Sequence, residues 1–355
     1  MKSLPLKRMF YGQSCATFVL RSDNEIFIGH NLDENNSVPG LIVANPRNVP
    51  KKGISWGMLK TGKPEKSGFE WKSKFASLTY NTFGKDLIDG GMNEAGLYVG
   101  EMTLFPTEYP SENNTINLYH HNWMQYLLDN FATVNEVLDS LTKIQPDGHC
   151  KWHFLIADEK SNCAVVEFLD KKVRIYSEDS LPYKILCNDT YEAELKDLAI
   201  YKEFGGEKTE PEKKYDREDP RFRWAALMLR QFDGEKEPVR HSFSILERMD
   251  MGNNKWRLVY DVKNMCLHFN TAINRNNRSV RLSNLKVEDG GKSLALDIDC
   301  AQSGDVSGFF KPLTGEIHEE FVRKAWSNID AGVMGNALFK PKMVKNMIRF
   351  VDFPL

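Results

Sequence analysis

The order in which hydrophobic periodicities follow one another constrains this chain most. β-rich runs come first. Residues 16–21 (ATFVLR) and 25–28 (EIFI) are separated only by Ser22-Asp23-Asn24, which reads as a hairpin. Residues 75–80 (FASLTY) and 96–103 (GLYVGEMT) are strand-like and are split by the turn GGMNEAG. Helical spacing then appears. Trp123, Leu127 and Phe131 recur every four positions, and Thr133 with Glu136 forms a capping box ahead of Val134. Strands return at 152–157, 164–168 and 172–176, a helix is predicted around 222–232, strands at 257–261 and 266–270, and a helix near 319–329. Strands and helices therefore come in blocks. A doubly wound parallel sheet needs them to alternate. The order predicts an α+β protein with antiparallel sheets packed together and helices segregated outside. Residues 45–70 and 202–219, rich in Lys, Pro, Gly or charge, are predicted surface loops. No repeat, low-complexity tract or linker divides the chain, so one domain is expected.

Composition removes several functions. Lys and Arg number 47 against 49 Asp and Glu, for a net charge of −2, without the basic excess of a nucleic-acid binder. No run of about 18 apolar residues spans a membrane. The six cysteines form no C-x-x-C pair and read as buried free thiols. His120-His121 lacks a carboxylate or cysteine at ligand spacing, so no metal is expected. No organic cofactor is implied either.

One cysteine stands apart. Cys15 opens the first strand in SCATFVL, and Asp33 ends the second in FIGHNLD. A hairpin brings these two together. The segments GMNEAGL (91–97), WHFLIAD (152–158) with AVVE (164–167), LCNDTY (186–191), PRF (220–222) and WRLVYDVKN (256–264) follow in order. Together they resemble the choloylglycine hydrolase family, N-terminal-nucleophile (Ntn) amidases that include bile salt hydrolases and penicillin V acylases. The resemblance runs from residue 15 to about 275, and residues after about 285 carry no recognisable motif.

The resemblance implies a four-layer αββα sandwich over residues 15–355, with residues 1–14 a leader removed on maturation. It implies hydrolysis of a linear amide C–N bond through an acyl-thioester on Cys15. The α-amine of Cys15 is then the general base, with an ordinary pKa near ~7.7–8.0. Asp33 matches the carboxylate that orients this amine. Asn188 matches an oxyanion donor, and a backbone N–H at Thr103, with Met102 the alternative one position away, matches the second. Arg221 matches the family's active-site arginine. His30, Met102 and Asn93 fall on the substrate side. His30 stands where the family commonly has Arg, and an imidazole lacks the fork of a guanidinium.

The expected partner is a small-molecule amide. Only 33 positions separate Asn188 from Arg221, where bile salt hydrolases and penicillin V acylases carry a longer assembly insertion, so homo-oligomerisation is left open. The first fourteen residues hold no apolar stretch of about 7–15 residues, so a cytoplasmic protein is expected, or a secreted or periplasmic one if a signal has been lost. Two rivals share the site: an acyltransferase using Cys15, and an unprocessed relative that binds an acyl ligand without turnover.

Overall fold

The computed structural model describes residues 14–65, 68–110, 115–209, 221–234, 237–329 and 335–352. Residues 1–13 of the expected leader, and residues 210–220, which hold most of the charged stretch, lie outside the described residues.

The hairpin forms where predicted. Strand Ala16–Ser22 pairs antiparallel with Glu25–Asp33, closing as Ser22 opposite Glu25. Asp23, in the turn, has a φ of 52°, a left-handed conformation that Asp and Asn tolerate better than other side chains. The register runs back to Ala16 opposite Asn31, and the Ser14 N–H donates to the Asp33 carbonyl at 2.9 Å. Pairing thus carries Cys15 to the end of the second strand. Within it the Phe18 ring lies flat on Gly29, where a Cβ would fall 2.3 Å from the ring.

Two large sheets enclose the core. From edge to edge the first contains Ile185–Leu186, Ala16–Ser22, Glu25–Asp33, Asn254–Asp261, Cys266–Thr271, Arg278–Arg281 and Gly304–Asp305. The second contains Lys172–Ser177, Cys163–Leu169, Trp152–Ala157, Tyr98–Thr103, Gly90–Asn93, Ser77–Asn81, Leu41–Asn45, Leu294–Asp297 and Lys311–Pro312. Pairing within both is antiparallel except at one edge, where Arg278–Arg281 and Gly304–Asp305 run parallel. Phe18, Ile28, Tyr80, Tyr98, Leu155 and Tyr260 belong to the main core cluster, built from both sheets.

Helices cover the outer faces. His120–Asn130 lays Trp123, Met124 and Leu127 on Val99, Phe154 and Ile156 of the second sheet. The capping box predicted at Thr133 and Glu136 is present and starts the next helix, Val134–Ser140. Arg221–Arg230 and Pro238–Arg248 cover the first sheet, tied to it where Asn31 Nδ2 donates to the Leu246 carbonyl at 2.8 Å. The four-layer αββα sandwich is therefore the architecture.

Residues 45–70 correct the sequence reading. They are not simply loop: strand Pro50–Lys52, helix Trp56–Thr61 and strand Glu70–Lys72 lie there. Their elements are three to six residues long, too short for a periodicity to show beside Pro, Gly and Lys. A separate cluster joins Ile54 and Leu59 to Val322, Trp326, Met343 and Met347 on helices Gly315–Asn328 and Lys340–Phe350. The motif-free last seventy residues thus pack against a segment read as surface.

Candidate active site

Cys15 is buried at the head of its strand. Its Sγ lies 3.9 Å from Oε1 of Glu101, on strand Tyr98–Thr103 of the facing sheet. Burial and the charges of Glu101, Asp33 and Glu34 push the thiol well up, and Arg221 alone opposes them. As it stands the thiol is protonated at neutral pH and needs a base.

Arg221 gathers the surrounding groups. It opens helix Arg221–Arg230, whose first turn faces the strand ends. Its Nη1 donates to the Ser14 carbonyl at 3.1 Å and the Cys15 carbonyl at 3.5 Å, and its Nη2 donates to Asn188 Oδ1 at 2.5 Å. Nη1 is also 3.6 Å from Asp33 Oδ2. Burial outweighs that ion pair and the hydrogen bond from Asn254 Nδ2, 2.8 Å from Oδ1, so the Asp33 carboxyl is pushed up to about 7. Asp33 Oδ2 is buried and accepts no hydrogen bond among the described residues. Asn188 Nδ2 donates to the Thr103 carbonyl at 2.8 Å, which sets this side chain against the strand end opposite Cys15. The structure therefore brings Cys15, Asp33, Asn188, Thr103 and Arg221 together from four separate stretches of chain.

Three expected substrate-side residues lie elsewhere. His30 is fully buried between the sheets, with Nε2 3.1 Å from the Tyr80 hydroxyl and Nδ1 3.4 Å from the Tyr98 hydroxyl. Burial lowers its pKa to about 3, so it is a neutral core histidine. Met102 points into the core between the sheets. Asn93 spends its side chain on a turn: Nδ2 donates to the Leu128 and Phe131 carbonyls, and Oδ1 accepts from Ala95 and Leu97 N–H. That turn closes through Gly96 at φ 83°. Asn93→Ala strips two carbonyls and two amides of their partners. It is expected to cost about 3 kcal/mol in urea unfolding, and a loss under ~0.5 kcal/mol contradicts the pinning role.

His153 fills a hydrogen-bonded slot, with Nε2 2.9 Å from the Cys187 carbonyl and Nδ1 3.2 Å from Glu167. His120 has neighbours that sequence adjacency hides. The fold brings His149 and Cys150 beside it, their ligand atoms within 4.8 Å of one another. His120 Nε2 is already engaged by the Cys150 N–H at 3.3 Å, and its ring stacks near Trp152 with centroids 4.3 Å apart.

Sequence reading missed Glu101 and Asp89. Glu101 is a lone carboxylate within GLYVGEMT and Asp89 directly precedes strand Gly90–Asn93, and neither falls in a chemical motif. Asp89 Oδ2 accepts from the Thr82 N–H at 2.6 Å, yet burial pushes this carboxyl up to about 7. Folding thus takes up a proton here between about pH 4 and pH 7, and stability falls as pH rises through that window. The effect is worth up to about 4 kcal/mol. Asp89→Asn keeps an acceptor for Thr82 and is expected to flatten the fall. An unchanged slope in urea titrations at pH 4.5 and pH 8 refutes this.

An αββα sandwich with a cysteine heading a strand of one inner sheet, and a carboxylate, an amide and a guanidinium around it, is the architecture of the N-terminal-nucleophile hydrolases. Residues 15–285 match the model of the linear amide C–N hydrolases, choloylglycine hydrolase family, and the chain belongs to that family. It is 28% identical to the penicillin V acylase of Pectobacterium atrosepticum, across 72% of this chain and 80% of that protein. Among solved structures it superposes on penicillin V acylase from Agrobacterium tumefaciens with a TM-score of 0.73 at 24% identity, covering 84% of this chain and 98% of that one. For a variant of conjugated bile acid hydrolase from Clostridium perfringens the TM-score is 0.63 at 18% identity, covering 80% and 97%. These structural likenesses establish the fold. Among the described residues no helix is long and apolar enough to cross a membrane.

Proposed function

We propose that the protein hydrolyses the C–N bond of a linear, non-peptide N-acyl amide through an acyl-thioester on Cys15, after cleavage of the Ser14–Cys15 bond. The observation that carries this reading is the cluster around that bond. Arg221 holds the carbonyls on both sides of Cys15, while an oxygen of Asp33 that accepts no hydrogen bond among the described residues lies beside it. Cleavage frees an α-amine there, which supplies the donor that Asp33 Oδ2 lacks. The amine also supplies the base the thiol lacks, since its ordinary pKa of about 7.7–8.0 suits neutral pH. The family match begins at Cys15, in keeping with this boundary.

The chemistry follows in two halves. Sγ attacks the amide carbonyl carbon as its proton passes to the α-amine. Negative charge develops on the carbonyl oxygen, where an Asn188 N–H and the Thr103 backbone N–H are the assigned donors. The C–N bond breaks as the α-ammonium returns its proton to the leaving amine. Water then loses a proton to the α-amine, attacks the thioester, and releases the acid with the thiol restored. Arg221 neutralises charge around Asp33 and fixes Asn188 through Oδ1. The names of the relatives, penicillin V acylase and conjugated bile acid hydrolase, support reading the substrate as an acylated small-molecule amine.

Intact mass and N-terminal sequencing test the reading. The mature chain is expected to begin at Cys15 and to gain an acyl mass when quenched with an amide substrate. A chain that keeps Ser14 and still turns over amides sinks the α-amine role.

A further inference from the structure

A small cavity is lined in part by Glu101, the residue whose carboxyl lies beside the thiol. It measures about 60 Å³, room for about four water molecules at some 10–15 Å³ each. Glu34, Asp89, Glu101, His121, Phe83 and Trp152 are among the residues lining it, and no Lys or Arg is. All six are buried in the fold. Glu101 touches both places, since its Oε1 is the atom beside Cys15 Sγ.

What the cavity wall offers is acceptor capacity. Among the described residues Glu101 Oε2 is buried without a hydrogen-bond partner, and so is His121 Nε2. The imidazole of His121 has its Nδ1 2.9 Å from the Ile88 carbonyl and 3.4 Å from Asp89 Oδ1. Nδ1 therefore carries the ring hydrogen and Nε2 presents a bare lone pair. Burial lowers this ring's pKa to about 3, which keeps it neutral. Burial also raises Glu101 well up, with the charge of Asp89 adding to the effect. Among the described residues no cation offsets these effects at Glu101. A ligand bringing both positive charge and N–H donors relieves each of these features at once. An anion meets three carboxyl groups, and a hydroxyl brings a single donor.

We propose that this cavity is the subsite for a cationic terminus of the substrate, a primary ammonium or a guanidinium on a short stem, held by Glu101, Asp89 and the His121 Nε2 lone pair. The proposal deepens the amide-hydrolase reading of Cys15 and rests on it. An ammonium offers three N–H donors and a guanidinium five, in a volume the cavity admits. Glu101 then joins the two sites: one oxygen faces the reacting sulfur and its carboxyl group faces the cation.

The test separates the subsite from the reaction. Binding of n-butylammonium, 1-butanol and butyrate to the full chain is measured by calorimetry and ligand-detected NMR. Butylammonium is expected to bind at least about tenfold more tightly than butanol, the difference one charge-assisted hydrogen bond provides, and butyrate not at all. Glu101→Gln and Asp89→Asn, each shown by circular dichroism to keep the fold at the assay pH, are expected to erase that preference. Equal binding of butanol, or binding of butyrate, overturns the proposal. Turnover is then compared for anilide-type amides carrying an ammonium or a methyl group at the same position, on the acyl half in one series and the amine half in another. An ammonium is expected to lower KM about tenfold in one series. Neutral amides hydrolysed with no gain from ammonium in either series overturn the subsite and leave the reaction standing. Selective ammonium binding by a chain that begins at Cys15 yet cleaves no amide overturns the reaction and leaves the subsite standing.

Discussion

Cys15→Ser is expected to lower kcat by at least about 10³ while the fold is unchanged. The residue is buried at the strand head, and an oxygen in place of the sulfur fills almost the same space, so unfolding should shift little. The chemistry changes far more. A hydroxyl is a weaker nucleophile than a thiol, and it ionises at much higher pH, in surroundings where Glu101, Asp33 and Glu34 already disfavour the anion. The α-amine base assigned here matches a thiol, not an alcohol. Steady-state turnover of an amide, with mass spectrometry of the quenched protein, checks both points. The thioester mass should vanish with the rate. A serine variant as fast as the parent moves the nucleophile elsewhere.

Asn188→Ala is expected to cost on the order of 10²–10³ in kcat, with KM changing far less. An oxyanion donor acts on charge that exists only as the carbonyl becomes tetrahedral, so its loss is felt in the transition state rather than in binding. The same side chain also accepts from Arg221 and donates to the Thr103 carbonyl. The variant therefore loosens the guanidinium as well. Arg221→Lys separates these contributions, because it retains charge but loses the fork that reaches Asn188 and the Cys15 carbonyl together. An Asn188→Ala protein with unchanged kcat removes the residue from the oxyanion site.

How much of this was legible depended on distance along the chain. Cys15 and Asp33 flank one hairpin, and alternation plus a short turn predicted their meeting from the residues alone. Asn188 and Thr103 touch across 85 positions, so periodicity could not place them and only the resemblance did. Asn93 sits in the most recognisable motif of the chain, yet the structure gives it to the turn. A motif marks a residue that cannot be changed easily, and closing a turn onto a helix end is reason enough. His30 was read from the resemblance, as the residue where the family commonly has Arg, but a two-residue strand period points it inward at Tyr80 and Tyr98. Helix Pro238–Arg248 was missed although its start signal is in the sequence: Glu237 caps it and Pro238 takes the first turn. Glu101 was invisible as a functional residue because a strand reading records its face, not the sulfur across from it.

The packing of Lys340–Phe350 on Trp56–Thr61 has a consequence for how the chain matures on the ribosome. Asn346 Nδ2 donates to the Leu59 carbonyl across 287 positions, and Met343 and Met347 complete the cluster around Ile54 and Leu59. That apolar surface is made early in synthesis and acquires its cover only when nearly all of the remaining chain has emerged. At roughly 5–20 residues per second, it stands open to solvent for about 15–60 seconds. Contacts of such long separation close slowly. The nascent chain thus spends most of its synthesis with an unpaired sticky patch, so chaperone demand and aggregation in this protein should track the helices that arrive last rather than the sandwich that carries the thiol.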